Sequence, residues 1–250
     1  MEPTEDPSPT ELVASPIAVR DLPNRRGAAL GRPFCRLLLR LGWRVRLYGT
    51  EHVPAKGPVI LAGNHTGVFD GPLLFGTSPR PAHVMTKEEV FVGPIGPVLR
   101  GVGQIPVNRW IIDFPAALTA LRVLTAGGVL GLYPEGERGD GDFSRIRDGL
   151  AYMALRTGAP IVPVANFGVV RAGKNTSIPP PFRARVDVVY GEPFTIEPAE
   201  PWGPYLPRRL VTEASERVRT RLLAHLLYAC ELTGNPAPPN VRTPPLSQPE

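Results

Sequence analysis

A histidine and an aspartate stand five positions apart in Asn64-His65-Thr66-Gly67-Val68-Phe69-Asp70, directly after the apolar run Pro58-Val59-Ile60-Leu61-Ala62. Imidazole can take and return a proton near neutrality, which makes it the usual general base. If Asp70 begins a helix, its carboxylate can turn back to the far nitrogen of His65. That contact fixes the tautomer and stabilises the imidazolium formed during a reaction, the logic of a Ser-His-Asp triad. No serine or cysteine stands where such a site needs a nucleophile, and Thr66 is not in a nucleophile elbow. The substrate is therefore expected to bring its own hydroxyl. A His and an Asp at this spacing can also simply cap a loop, so the weight falls on what lies downstream.

Two further segments carry chemistry. The extended stretch 104–107 leads to Arg109, and the apolar run 129–133 leads to Pro134-Glu135-Gly136-Glu137-Arg138. Ligands of open α/β sheets bind beyond the carboxyl ends of the strands. His65, Asp70, Arg109, Glu135 and Arg138 are thus expected in one cluster over a sheet edge. Arg109 and Arg138 would bind an anion there, since the planar guanidinium makes bidentate hydrogen bonds to phosphate.

The elements that must hold these groups are legible from periodicity and punctuation. Strands are expected at 58–62, 82–86, 104–107, 129–133, 160–165 and 185–190. Short helices are expected at 71–75, 88–92 and 94–100. Asp113 is a good N-cap with Pro115 just inside, and that helix should end at Gly127-Gly128. Further helices are expected over 148–156 and 208–232. Apolar strands alternating with helices imply an α/β class: a layered, mostly buried mixed sheet flanked by helices. Residues 1–32 read as a disordered leader, 33–232 as the domain, and 233–250 as a Pro-rich tail.

Of the 28 basic residues 25 are Arg, and the net charge is +5. Residues 20–46 hold eight Arg against one Asp. Within them Phe34, Leu37, Leu38, Leu41 and Val45 follow helical spacing, with Arg36, Arg40 and Arg44 as a separate stripe and Pro33 at the start. This fits a helix lying in a membrane interface, or equally an ordinary surface helix on the core. Interleaved aromatics for base stacking are missing, which argues against nucleic acid. The acidic, Pro-rich start lacks the order of a signal peptide, and no apolar run is long enough to span a bilayer. Cys35 and Cys230 read as buried thiols in a reducing compartment. His52, His83 and His225 have no matching context. No metal is expected, because no second His or Cys stands at ligand spacing from His65.

Four blocks together resemble the glycerolipid acyltransferases typified by 1-acylglycerol-3-phosphate acyltransferases. They are Asn64, His65 and Asp70; Gly103-Gln104-Ile105-Pro106-Val107-Asn108-Arg109; Tyr133-Pro134-Glu135-Gly136-Glu137-Arg138-Gly139; and Ile161-Val162-Pro163-Val164. Lys87 resembles a basic residue common in the family. Glu137 and Gly139 depart from the family's usual Thr and Ser, and Pro106 and Asn108 depart in the second block. The resemblance implies direct transfer of a fatty acyl group from acyl-CoA or acyl carrier protein to a lysophospholipid hydroxyl, without a further cofactor. His65 would be the base, Asp70 its orienting group, and backbone N–H groups the oxyanion stabilisers. Arg109 and Arg138 would hold the acceptor phosphate, with Glu135 and Gly136 shaping its site and Lys87 nearby. The enzyme would be cytoplasmic and peripheral on the inner face of the membrane. A non-catalytic lipid-binding relative and a thioester hydrolase using the same dyad are the alternatives.

Overall fold

The computed structural model describes residues 22–170, 176–196 and 206–241. Most of the expected leader, 1–21, and the end of the expected tail, 242–250, lie outside the described residues. Seven strands form one sheet in the order β1-β7-β6-β2-β5-β3-β4. They are β1 (Arg44–Tyr48), β2 (Val59–Gly63), β3 (Ala82–Lys87), β4 (Ile105–Val107), β5 (Val129–Leu132), β6 (Ile161–Phe167) and β7 (Arg185–Tyr190). All neighbours pair in parallel except β6 and β7. The carboxyl ends of β6, β2, β5, β3 and β4 therefore share one edge of the sheet.

Helices cover both faces. Helices α4 (Phe114–Thr125), α5 (Gly149–Thr157) and α6 (Arg208–Thr233) pack on one side, around Ile60, Leu130, Ile161 and Leu222. Helices α1 (Arg25–Gly42) and α2 (Asp70–Thr77) cover the other, around Leu61, Leu74, Val162 and Tyr190. Neighbouring residues of β2 thus feed opposite cores, Val59 and Leu61 one and Ile60 and Ala62 the other. That is why this strand reads as an unbroken apolar run. A short α3 (Ile95–Gly101) precedes β4.

The N-terminal basic segment departs from expectation. The helix begins at Arg25, not Pro33, so residues 25–32 belong to the folded body rather than to a leader. Asn24 supplies the cap, accepting from the Gly27 N–H at 2.8 Å. Pro33 sits inside the helix, where its missing N–H and ring normally cost about 3 kcal/mol. Close packing offsets this. A side chain at Gly27 would collide with the Gly101 carbonyl, and one at Gly31 with Val102, so α1 lies tightly against the end of α3. Val45 and Arg44 are not helical at all. They belong to edge strand β1, whose apolar Val45 happens to continue the helical spacing.

The faces of α1 also run opposite to a simple packed helix. Its body-facing side carries Ala28, Arg32, Cys35, Arg36 and Leu39, with the Arg32 guanidinium donating to the Ser78 carbonyl at 2.9 Å. Leu30, Phe34, Leu37, Leu38 and Leu41 are exposed. No described helix is long and apolar enough to cross a membrane.

Candidate active site

The loop between β2 and α2 is built to hold His65. Asn64 ties the end of β2 to β6: its Oδ1 accepts from the Asn166 N–H at 2.7 Å and its Nδ2 donates to the Asn166 carbonyl at 3.2 Å. Gly67 is crowded by Val170 and Val169, which excludes any larger residue from this turn. Asp70 opens α2 with no exposed side-chain surface. Its Oδ2 accepts from the Thr66 N–H at 2.7 Å, the Gly67 N–H at 2.8 Å and His65 Nδ1 at 2.9 Å. A buried carboxylate is costly unless donors meet it; here three meet Oδ2, while Oδ1 is buried without a partner.

With Nδ1 donating to Asp70, Nε2 of His65 is left as the basic nitrogen. The His65 side chain keeps 20% of its surface exposed. The ring stacks on Tyr133, with centroids 4.4 Å apart and 21° between planes. Gly63 makes room for that stack, since a Cβ there would strike the Tyr133 ring. The Tyr133 hydroxyl is buried without a hydrogen-bond partner, and burial pushes its pKa well up.

Glu135 lies behind the histidine, at the end of β5. Its Oε1 accepts the backbone N–H of His65 at 2.9 Å. Burial pushes its carboxyl up to about 8, opposed by that hydrogen bond and reinforced by the charges of Asp142, Asp70 and Asp140. The N–H groups of His65, Thr66 and Gly67 are therefore all engaged. These three groups are not free to serve as the expected backbone oxyanion donors.

A cavity of about 720 Å³ opens in front of His65. Most of its wall is apolar, drawn from α1, α2, α3 and α4, and Lys87, Arg109, Gly136 and Arg138 line it as well. The structure thus brings five of the seven expected site residues onto one cavity, with Asp70 and Glu135 directly behind His65. The two arginines have protein partners. Arg109 pairs with Glu89 at 3.0 Å, and Arg138 donates to the Thr176 carbonyl at 3.2 Å and to Ser177 Oγ at 3.1 Å. Cys35, expected as a buried thiol, is half-buried on the cavity wall, and burial pushes its thiol up to about 11.

Arg147 escapes the sequence reading. It lines the same cavity, its guanidinium lies where a Cβ on Gly136 would be, and it donates to the Arg109 carbonyl at 3.1 Å. Gly136 adopts φ 76°, so its glycine identity is required twice over. Nothing local marks Arg147, because only the folded loop brings it back over residue 136. The remaining histidines have structural partners: His52 pairs with Glu192, His83 meets the Gly103 carbonyl, and His225 meets the Val189 carbonyl.

Fold and site together define a class: an α/β protein with a carboxylate-held histidine at the mouth of an apolar cavity ringed by cations. The comparisons agree. A family model described as Acyltransferase matches residues 44–166, which include the whole of β2, β3, β4 and β5. A Borreliella burgdorferi protein named 1-acyl-sn-glycerol-3-phosphate acyltransferase is 35% identical over 130 residues, covering 50% of this chain and 52% of that protein. A Bacillus subtilis protein of the same name is 29% identical over 161 residues, covering 64% and 78%. The crystal structure of the 1-acyl-sn-glycerophosphate acyltransferase PlsC from Thermotoga maritima shares the fold, with a TM-score of 0.54, 21% identity, and coverage of 81% of this chain and 78% of that one. Over residues 44–166 the chain matches the acyltransferase family. Its match spans about half the length of the Borreliella relative.

Proposed function

We propose that this protein transfers a fatty acyl group from a thioester, acyl-CoA or acyl carrier protein, to the free hydroxyl of a lysophospholipid such as 1-acylglycerol 3-phosphate. The observation that carries the reading is the His65–Asp70 pair, Nδ1 to Oδ2 at 2.9 Å, facing an apolar cavity whose wall also bears Lys87, Arg109 and Arg138. An apolar space suits an acyl chain, and the cations suit the phosphate of an acceptor. The similarity to proteins named for this activity supports the same reading.

The chemistry follows from the geometry. Nε2 of His65 removes the proton of the acceptor hydroxyl as its oxygen attacks the thioester carbonyl carbon. Asp70 stabilises the imidazolium that results. The N–H groups of residues 65–67 are engaged, so the donors that stabilise the tetrahedral oxyanion lie elsewhere on the cavity wall. When the C–S bond breaks, the thiolate takes the proton from His65. An ester and a free thiol leave, and the dyad is restored with no acyl-enzyme.

The protein acts at a membrane surface, with the exposed row Leu30, Phe34, Leu37, Leu38 and Leu41 of α1 against the lipid. Incubation with labelled acyl-CoA and acyl carrier protein and a panel of lysophospholipids and polyols, with products identified by mass, tests the reading. A diacyl phospholipid as the main product supports it. Free fatty acid released at one rate with and without acceptor overturns it in favour of thioester hydrolysis.

A further inference from the structure

Residues 110–114 turn large apolar side chains outward. Trp110 is 80% exposed and Ile112 79%, and Ile111 and Phe114 are exposed too. Four such side chains in five positions are unfavourable in water, so a loop with freedom to do so would fold them inward. This loop is held open. Asp113 accepts the Asn108 N–H through Oδ2 at 2.8 Å and the Ala116 N–H through Oδ1 at 2.9 Å. Asn108 Oδ1 accepts the Trp110 N–H at 3.0 Å, and the Phe114 N–H donates to the Ile112 carbonyl at 3.2 Å. The same aspartate that caps α4 therefore fixes the base of the projection.

We propose that residues 110–114 form an apolar finger that inserts into the surface of an anionic lipid bilayer beside the cavity mouth. The proposal rests on the reading of the acceptor as a membrane lipid. Three separate segments contribute side chains that are both exposed and part of the cavity wall: Phe34 and Leu38 from α1, Ile95 and Val98 from α3, and Ile111 and Ile112 from the finger. The exposed apolar rim is thus continuous with the interior of the cavity. A rim assembled from three separate segments suits a fluid bilayer, which needs no matching shape, better than a folded protein partner.

Charge points the same way. The Arg109 guanidinium lies 5.6 Å from the Trp110 ring centre, at the root of the finger. Trp is favoured at the level of lipid headgroups, and Arg109 beside it, paired with Glu89 on the cavity wall, sets a guanidinium at the same level. With the finger inserted, Arg109 sits at phosphate depth while acyl chains remain beside the cavity. An acceptor lipid then reaches His65 without leaving the membrane completely.

The test is cosedimentation of the full chain with vesicles of phosphatidylcholine containing about a third phosphatidylglycerol. Wild type binds with a blue shift of its tryptophan emission. Trp110→Ser with Phe114→Ser, neither of which lines the cavity, lowers the partition about ten-fold or more. Circular dichroism and the thermal midpoint verify that the variant is folded. Trp110→Phe, a milder change, removes the finger's share of quenching by brominated lipid. His65→Ala binds as wild type does, so loss of the catalytic reading leaves this result standing. Unchanged partition and quenching in the finger variants, or no binding by wild type, overturns the proposal.

Discussion

Glu135 Oε1 accepts the backbone N–H of His65 at 2.9 Å, which ties the end of β5 to the end of β2 directly behind the proposed base. The carboxyl is buried among Asp142, Asp70 and Asp140, and its pKa stands at about 8. An unfolded chain releases that proton in the ordinary carboxylate range. Between that range and about 8 the folded state holds more protons, so raising the pH favours unfolding. Glu135→Gln keeps an accepting oxygen and removes the titration. Its thermal midpoint, relative to wild type, is expected to rise as pH increases through this window and to level off above it. A difference that stays flat with pH contradicts the assignment.

Asp70 is expected to matter for fold and chemistry together. Asp70→Asn offers a neutral group to three donors that now meet one carboxylate oxygen. Removing charge-assisted hydrogen bonds from a buried site costs about 1.5–3 kcal/mol of stability. Acyl transfer should fall by about two orders of magnitude or more as His65 loses its held tautomer. Denaturant melts beside single-turnover assays separate the two effects. Full activity in a folded Asp70→Asn protein would contradict the role given to the pair.

The cations on the cavity wall are expected to act on the acceptor. Arg138→Ala should raise KM for a phosphorylated acceptor about ten-fold or more, with little change for a neutral alcohol acceptor. Arg109→Lys should lose part of the same affinity, because an ammonium cannot replace a planar fork that also pairs with Glu89. Equal effects on charged and neutral acceptors would assign these residues to structure instead.

Much of this site is legible in the sequence because parallel strands announce themselves. β2 and β5 are short apolar runs with polar residues close behind, and the structure ends both at one edge together with the apolar β6. The Asp113 cap is legible for the same local reason, and it accepts from Ala116 as an N-cap should. What is hidden depends on distant contacts. Helix α1 reaches back to Arg25 because Gly27 and Gly31 admit Gly101 and Val102, far along the chain. β1 is masked by an apolar residue, Val45, that fits the helical period. Arg147 and Tyr133 acquire their places against Gly136 and His65 only when loops from different strands meet. The finger at 110–114 reads as an ordinary helix approach until its exposure is seen.

Gly63 offers a packing test. A methyl group there meets the Tyr133 ring, which stacks on His65. Gly63→Ala is expected to cost about 1–3 kcal/mol by overpacking and to shift the His65 ring. The measurement is a denaturant melt combined with the NMR shifts of the His65 ring protons. A variant as stable as wild type, with unmoved His65 resonances, would show that the stack has room to spare.

The apolar face of α1 is expected to carry membrane contact. Leu37→Glu with Leu41→Glu changes two exposed residues and should lower partition onto anionic vesicles about ten-fold or more, with the fold intact. Unchanged partition would remove α1 from the docking surface.

The most direct measurement compares thiol release with ester formation in wild type and His65→Ala, using one thioester donor and 1-acylglycerol 3-phosphate. In wild type, one thiol should appear for each diacyl product, and thiol release should depend on acceptor. In His65→Ala both rates should fall together by about 10²–10⁴-fold in a protein that melts normally. Thiol release without matching ester, or a folded His65→Ala protein that transfers acyl groups at the wild-type rate, would contradict His65 as the base that activates the acceptor hydroxyl.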